Sequence, residues 1–347
     1  MNRRMQIDRR TLLGGIAATL AAPLPSFAGG IVDSAGRTVT APDRVLRVYP
    51  AGPPAAVEIY KLAPDLLIGW LEPLAPEARE FLLPEIAARP QIPRLTGRGS
   101  DKINLDAINA LKPDVIVDVG DVNANYQSIA ERVQQESNIP YALIDGHLDR
   151  MGASYRALGQ LLGRHDEAEK LARIADDTIA VITQRSASVA PDARPRVYYA
   201  RDHTGLVTAQ AGSSVTEPID FLGAHNVAAA QRGGQTVVTV EQVAAWKPDV
   251  IIASNSEFMA VAHKDPTWAA LTAVKAGRVH LAPRQPFGWV DYPPAVNRLI
   301  GLWWLGKIFY PALFPEDIKT LMRDFYTAFY HITPTAAQIE RVLAGGA

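Results

Sequence analysis

The chain has 347 residues, of which 48% are hydrophobic and 20% charged, and its formal net charge is -1. A chain of this length and apolar content can bury a large core, and the length suits two domains better than one. Near-zero charge without a Lys/Arg block or a basic stripe with interleaved aromatic residues argues against a surface that binds the nucleic acid backbone, so we expect no nucleic acid partner.

The first 28 residues have the features of an export signal. Arg9-Arg10-Thr11-Leu12-Leu13 has the twin-arginine form, and the apolar run that follows ends at Leu24, shortly before the small residue Ala28. An ordinary Sec signal or a short membrane anchor are the alternatives. The chain has no cysteine, so it offers neither disulfides nor a residue for lipidation, and we predict a protein that diffuses freely in the periplasm.

Short apolar runs alternate with helical patterns along the mature chain, which is typical of βαβ units and an α/β fold with mainly parallel sheets. In the first half the predicted strands are Arg44–Tyr49, Leu66–Trp70, Val115–Val119 and Tyr141–Ile144, and the predicted helices include Pro76–Ala88 and Ala124–Glu136. In the second half the predicted strands are Arg196–Ala200, Val250–Ala253 and Val279–Ala282.

An internal repeat connects the two halves. Residues 105–117 align without gaps with residues 240–252, and each copy has a carboxylate in the first helical turn, then an amphipathic helix, Lys-Pro-Asp and a β-branched strand. One such block can arise by chance from local helix-to-strand chemistry. Two copies predict two similar Rossmann-like lobes.

Between the copies, residues 147–189 have no strand pattern but a strong helical period. From Asp166 the pattern fits one unbroken helix that would join the lobes as a rigid strut, and two ordinary surface helices of one lobe are the alternative. We therefore divide the chain into a signal (1–28), a first lobe (29–148), a linking helical segment (149–190) and a second lobe (191–347).

The sequence contains no convincing catalytic motif. Gly-x-Ser-x-Gly, a cysteine nucleophile, a phosphate loop and a dinucleotide fingerprint are all missing. The seven histidines are scattered, without a metal-ligand spacing. We predict that the protein is not an enzyme, needs no cofactor and does not bind a bare metal ion directly.

In open α/β sheets ligands bind beyond the carboxyl ends of the strands. This rule, with a glycine-flanked arginine on a loop, selects aromatic and arginine residues as ligand-binding candidates. They are Tyr49, Trp70, Arg98, Tyr199, Arg201, Arg284 and Trp289. Arginine presents planar donors to carboxylate, phosphate or catecholate oxygens and aromatic rings supply flat walls, so the set favours a bulky anionic chelate. For each residue, an ion pair or core packing is the competing interpretation.

The two repeat copies, the strut and residues 273–279 and 293–301 resemble the class III periplasmic binding proteins. This family serves ABC importers of ferric siderophores, haem and cobalamin, and some members carry molybdate, tungstate or nickel chelates. The resemblance covers about Val45 to Tyr330 and implies two lobes joined by a helix, with a ligand between them.

The resemblance also implies partners and roles. A carboxylate at the start of the helix in each copy docks onto permease arginines, and the matching residues are Asp106 and Glu241, although most members have Glu in both places. We expect a monomer that takes a metal chelate, most simply an iron complex, to an ABC permease. A molybdate or tungstate carrier and an exported cofactor-containing enzyme are the alternatives.

Overall fold

A computed structural model describes residues 30–95, 103–229 and 234–345. The predicted export signal and the candidate Arg98 lie outside these residues. The chain forms two separate parallel sheets, one from each half of the sequence. The first sheet has the order Val48–Pro50, Val115–Gly120 and Tyr141–Asp145, and the second has the order Val279–Leu281, Val250–Ala253, Arg196–Ala200 and His225–Asn226. The predicted α/β class with mainly parallel sheets is confirmed.

Helices flank both sheets. Those of the first half are Pro53–Leu62, Pro76–Arg79, Pro84–Ala87, Leu105–Leu111 and Ala124–Ser137. The linking segment contains Met151–Leu162 and His165–Ala187. Those of the second half are Glu217–Phe221, Val240–Trp246, Ser256–Lys264, Pro266–Ala269, Thr272–Lys275, Arg298–Phe309, Ile318–Phe329 and Ala336–Leu343. Two antiparallel ribbons complete the fold, Gly30–Val32 with Thr38–Thr40 and Val207–Ala209 with Gln235–Val237.

Two predicted elements in the first half are wrong. The predicted strand Leu66–Trp70 makes only isolated bridges, Val48 with Leu67 and Trp70 with Gln91, because the chain crosses between two partners instead of following one. The predicted helix Pro76–Ala88 is two short helices, since Pro84 has no N–H to continue the first. The other predicted strands are present, with ends shifted by a few residues.

The sequence repeat is also a structural repeat. Each helix ends at a lysine in the left-handed conformation, Lys112 with φ 47° and Lys247 with φ 49°. The following aspartate then anchors the neighbouring strand: Asp114 accepts the backbone N–H of Arg47 at 2.8 Å, and Asp249 accepts that of Arg196 at 2.8 Å. The same local chemistry therefore builds both lobes, as the sequence predicts.

The linking segment is a helical hairpin. Its second helix, His165–Ala187, has 23 residues and is about 34 Å long. The first helix packs against it so closely that a Cβ at Gly159 would lie 2.2 Å from the Cβ of Ala168. The long helix contacts Pro53–Leu62 of the first half and Arg298–Phe309 of the second, so it spans both lobes.

Buried polar contacts also join the halves. Arg298, fully buried, donates to the backbone carbonyl of Gly146 and forms an ion pair with Glu217. Glu217 in turn accepts the backbone N–H of Leu148 at 2.9 Å. Because unpaired buried charges are costly, these contacts hold the lobes in one relative position.

A second buried junction surrounds Glu58 and Lys61 on the helix Pro53–Leu62. Glu58 accepts the hydroxyl of Tyr155 and, at 2.6 Å, the backbone N–H of Val296. The Lys61 ammonium has no hydrogen-bond partner among the described residues and lies 4.4 Å from the ring centroid of Tyr330. Burial lowers the pKa of Lys61 to about 7, and burial raises the pKa of Glu58.

The free energy of unfolding should depend on pH through Lys61. Between its folded pKa of about 7 and its usual 10.5, the unfolded chain binds the proton that the folded chain lacks, so stability should rise with pH in this window. One such group contributes at most about 1.4 kcal/mol per pH unit. In Lys61→Met this rise should disappear, as measured by urea unfolding at several values from pH 7 to pH 9; equal slopes in both proteins would contradict the prediction.

Candidate functional site

Two adjoining cavities lie at the carboxyl edges of the sheets. The first, called here the interlobe cavity, has a volume of about 350 Å³ and takes its walls from both halves of the chain. The first half contributes the start of the helix Pro53–Leu62 and the segment 70–78, and the second half contributes residues 284–287 and 292–293. Trp70 and Phe287 form much of the apolar wall, with ring centroids 6.0 Å apart.

The second cavity, called here the second-lobe cavity, has a volume of about 370 Å³ and is built entirely by the second half. Residues at and just after the carboxyl ends of its strands line it: Tyr199 and Arg201, Ser254 and Asn255, and the segment 282–284. This is the position that the strand-end rule predicts. Arg284 and Tyr292 line both cavities and so form the junction between them.

The two cavity arginines differ in charge balance. The Arg201 Nε donates to Asp291 at 2.6 Å, and the Asp291 side chain is only 1% exposed, so the charge of Arg201 is compensated within the protein. Arg284 donates to the backbone carbonyl of Ser254 at 3.0 Å and forms no ion pair with the described residues. A positive charge is therefore available to a ligand mainly at Arg284.

Tyr292 separates the two guanidinium groups. The Cζ atoms of Arg201 and Arg284 each lie 5.8 Å from its ring centroid. Its side chain is 52% exposed, and its φ of 73° is unusual for a residue with a bulky side chain. Backbone conformations of this kind cost about 1–3 kcal/mol and cluster at ligand sites.

The structure places most of the predicted ligand-binding residues in these walls. Trp70 and Arg284 line the interlobe cavity, and Tyr199, Arg201, Arg284 and Trp289 line the second-lobe cavity. Trp289 is also fully buried, and its indole N–H donates to Tyr326 at 3.2 Å. Tyr49 is fully buried outside both cavities. Its side chain packs in the cluster that contains Ile108 and Val133, and its hydroxyl donates to the carbonyl of Pro93 at 2.6 Å.

Sequence reasoning missed the individual roles of Asp291 and Tyr292 and the wall formed by residues 71–78. Residues 71–75 of this wall lie outside any helix or strand, so periodic patterns give no signal for them, and residues 76–78 belong to the short helix Pro76–Arg79. The sequence offers one indication of a loop at this wall, which is the proline-containing stretch Leu-Glu-Pro-Leu-Ala-Pro at residues 71–76, directly after the candidate Trp70.

The candidate docking carboxylates Asp106 and Glu241 are exposed and form no ion pair among the described residues. Arg47 donates to the carbonyl of Leu111 at 2.8 Å, so the helix of Asp106 ends at the amino edge of the first sheet. Arg196 donates to Trp246 at 2.7 Å in the same way.

His147 lies beside two carboxylates. Its Nδ1 lies 2.6 Å from Asp145 and its Nε2 3.7 Å from Asp121. Burial alone would lower the pKa of His147, but the hydrogen bond to Asp145 and the nearby carboxylates raise it. This cluster lines neither cavity, and within the described ranges no group of three or more His, Asp or Glu is placed to hold a metal ion.

Comparison with known proteins defines the class. A family model described as periplasmic binding protein matches residues 84–286, so the chain belongs to the periplasmic binding protein family. The molybdate-binding protein MolA of Haemophilus influenzae is 25% identical in an alignment of 326 positions that covers 86% of this chain and 90% of that protein.

Solved structures agree with this assignment. An ABC transporter solute-binding protein from Sulfurospirillum deleyianum has a TM-score of 0.84 and 26% identity, covering 91% of this chain and 99% of that one. MolA bound to molybdate has a TM-score of 0.72 and 23% identity over 88% of this chain and 99% of that one. The latter supports the fold alone.

Family membership confirms three predictions. The chain has the two-lobed α/β fold, it is the solute-binding component of an ABC importer, and it is not an enzyme. The alternative of an exported cofactor-containing enzyme is thereby removed. In residues 30–95, 103–229 and 234–345, no helix, including the aromatic helix Arg298–Phe309, is both long and apolar enough to cross a membrane.

Proposed function

We propose that the protein captures an anionic metal chelate, in the first instance a ferric siderophore or related complex, between its lobes and delivers it to an ABC permease. The observation that carries the proposal is the exposed Arg284 guanidinium, which forms no ion pair with any carboxylate of the described residues, at the junction of two cavities with aromatic walls. Pockets of small-molecule ligands have volumes of about 300–1,000 Å³. The two cavities fall in that range.

A second candidate ligand is molybdate or tungstate. The similarity to MolA, which extends over 86% of the chain, favours it. In this case the oxyanion would lie beside Arg284 and Arg201 in the second-lobe cavity, where arginine and hydroxyl donors are available. Both candidate ligands are anionic metal species with oxygen ligands, and only the first contains an organic chelator.

We further propose that Asp106 and Glu241 dock onto permease arginines, that the protein is monomeric, and that it works in the periplasm after export by the twin-arginine route. Both carboxylates are exposed in the first turn of equivalent helices of the two repeat copies, which supports the docking proposal. The lobe boundaries 29–148 and 191–347, with the linking segment 149–190 between them, belong to the same proposal.

Replacing Arg284 should weaken ligand binding. Hydrogen bonds that involve a charged group contribute about 1.5–3 kcal/mol, so Arg284→Gln should lower affinity for the anionic ligand roughly 10- to 100-fold. Arg323→Gln, an exposed arginine outside both cavities, is the matched control and should bind normally. Calorimetric titration measures the difference, and equal affinities of the two variants would refute the role of Arg284.

The ligand itself can be identified by native mass spectrometry and metal analysis of protein purified from its own periplasm. Iron with an organic chelator would support the first candidate, and molybdenum or tungsten without one would support the second. Protein that carries no metal and binds none of these species would refute both.

A further inference from the structure

A third cavity lies at the amino edge of the second sheet, opposite the edge where the two cavities described above lie. It is called here the amino-edge cavity, and its volume is about 580 Å³. The segment before the strand Arg196–Ala200, the helix Glu217–Phe221 and the start of the strand His225–Asn226 form its walls. None of its lining residues belongs to the interlobe or the second-lobe cavity, so it is separate from the proposed transport site.

Three basic side chains line the amino-edge cavity, and the strand geometry places them on one face. Arg194 has extended backbone angles, φ −79° and ψ 123°. Because residues two positions apart in extended chain point to the same face, Arg194 and Arg196 project together. His225 is the direct partner of Arg196 in the parallel register, and neighbouring strands lie about 4.8 Å apart.

The Arg194 guanidinium has no partner in the part of the chain that the structure describes. Its Nε is buried without an acceptor, and the side chain forms no ion pair there. It lies over Gly223, where an added Cβ would be 3.5 Å from the Arg194 Cζ. Buried polar groups in folded proteins are nearly always hydrogen-bonded, and a bound anion would supply the missing acceptor.

The charges in the wall of this cavity do not cancel. Arg196 donates to the carbonyl of Trp246 at 2.7 Å and forms no ion pair with the described residues. Among the described residues of the wall, Asp220 alone carries a carboxylate. Burial raises the pKa of Asp220, and a hydrogen bond from the backbone of Gly212 opposes this shift. Two guanidinium groups therefore share one carboxylate, and the cavity keeps a positive charge.

The first lobe shows that its architecture does not require an arginine at this position. Arg47 corresponds to Arg196, because each donates to the carbonyl at the end of its repeat helix. Two residues earlier, where the second lobe has Arg194, the first lobe has Val45, which is buried in the core. The guanidinium of Arg194 is thus an addition to the shared fold and has no counterpart in the packing of the first lobe.

We propose that the amino-edge cavity binds a phosphate group, free or as the monoester of a small soluble molecule, at Arg194, Arg196 and His225. Guanidinium groups match the oxygens of phosphate in geometry and charge. The volume of the cavity lies in the range of small-molecule sites and accommodates the organic part of a monoester. This site goes beyond the proposed function, because it takes a second anion at the edge of the lobe opposite the proposed transport site.

Inorganic phosphate and glycerol 3-phosphate are the probes for this site. All proteins in the comparison carry Arg284→Gln, which removes the exposed guanidinium of the proposed transport site and makes the result independent of it. In this background Arg194→Gln should lower the affinity for both probes about 10- to 100-fold in calorimetric titration, as expected for the loss of charge-assisted hydrogen bonds. Arg323→Gln, an exposed arginine outside all three cavities, is the matched control and should leave both affinities unchanged.

Nuclear magnetic resonance gives a second readout at the residue itself. The Nε–H resonance of Arg194, identified by its loss in Arg194→Gln, should shift and saturate with either probe. Equal affinities of the Arg194→Gln and Arg323→Gln proteins would overturn the proposal. A resonance that moves no further with phosphate than with sodium chloride at the same ionic strength would overturn it too.

A third arm distinguishes a soluble ligand from a lipid headgroup. Phosphatidylcholine vesicles that contain phosphatidic acid present glycerol 3-phosphate on a surface. Binding of both soluble probes, without sedimentation of the protein with these vesicles, is the expected result. Sedimentation with the vesicles, without binding of either soluble probe, would assign the cavity to a membrane surface and overturn the proposal of a soluble ligand.

Discussion

Arg298→Met is expected to lower the free energy of unfolding by about 3–5 kcal/mol, because it leaves Glu217 charged and half-enclosed without its guanidinium partner. The same change removes the donor to the Gly146 carbonyl, so one substitution breaks contacts to both halves of the chain. Urea unfolding followed by tryptophan fluorescence measures the effect.

Arg323→Met is the control for this prediction, since Arg323 is exposed and should change stability by less than about 0.5 kcal/mol. Arg298→Lys keeps the charge but loses the planar donor set, and it should fall between the wild type and Arg298→Met. If Arg298→Met unfolded at the same urea concentration as Arg323→Met, the buried ion pair would have no role in joining the lobes.

Reversing both proposed docking charges, Asp106→Lys together with Glu241→Lys, is expected to reduce uptake to background and leave ligand affinity unchanged. Placing like charges opposite permease arginines costs several kcal/mol, and each single reversal should reduce uptake about tenfold. Transport into vesicles containing the purified permease measures the effect. Ligand titration of the same variants confirms that the cleft is intact.

The control reverses two exposed acids elsewhere, Glu131→Lys together with Asp324→Lys, and changes the net charge by the same amount. This variant should support normal uptake, which separates docking from bulk electrostatic attraction. If it were as defective as the Asp106/Glu241 variant, or if the latter transported normally, the two carboxylates would not be the docking contacts.

The sequence is most informative where local chemistry determines structure. The turn at Lys112-Pro113-Asp114 and its copy at Lys247-Pro248-Asp249 combine a left-handed lysine, a proline that stops the helix and an aspartate that anchors a strand. All of these contacts are set within a few residues or one neighbouring strand. The repeat therefore predicts two lobes from short stretches of sequence alone.

The sequence is least informative where distant segments meet. The pairing of Arg201 with Asp291 joins residues 90 positions apart, and the interlobe wall joins residues 70–78 to residues 284–293. No periodic pattern relates such segments. Tyr49 is predicted to bind the ligand but is buried outside both cavities. A residue at the end of a strand can point to either face of the sheet, and its direction depends on the register of the whole sheet.

The close packing of Gly159 against Ala168 in the linking hairpin limits how the protein can respond to its cargo. Because the two helices of the hairpin pack too closely to slide or separate, little conformational entropy is lost when a ligand fills the cleft. Ligand selection then depends on how well the ligand fits a preformed cleft. Related solutes should then be distinguished by their shape and charge distribution. Substitutions of the cavity-lining residues should change the specificity without any change in the linking hairpin.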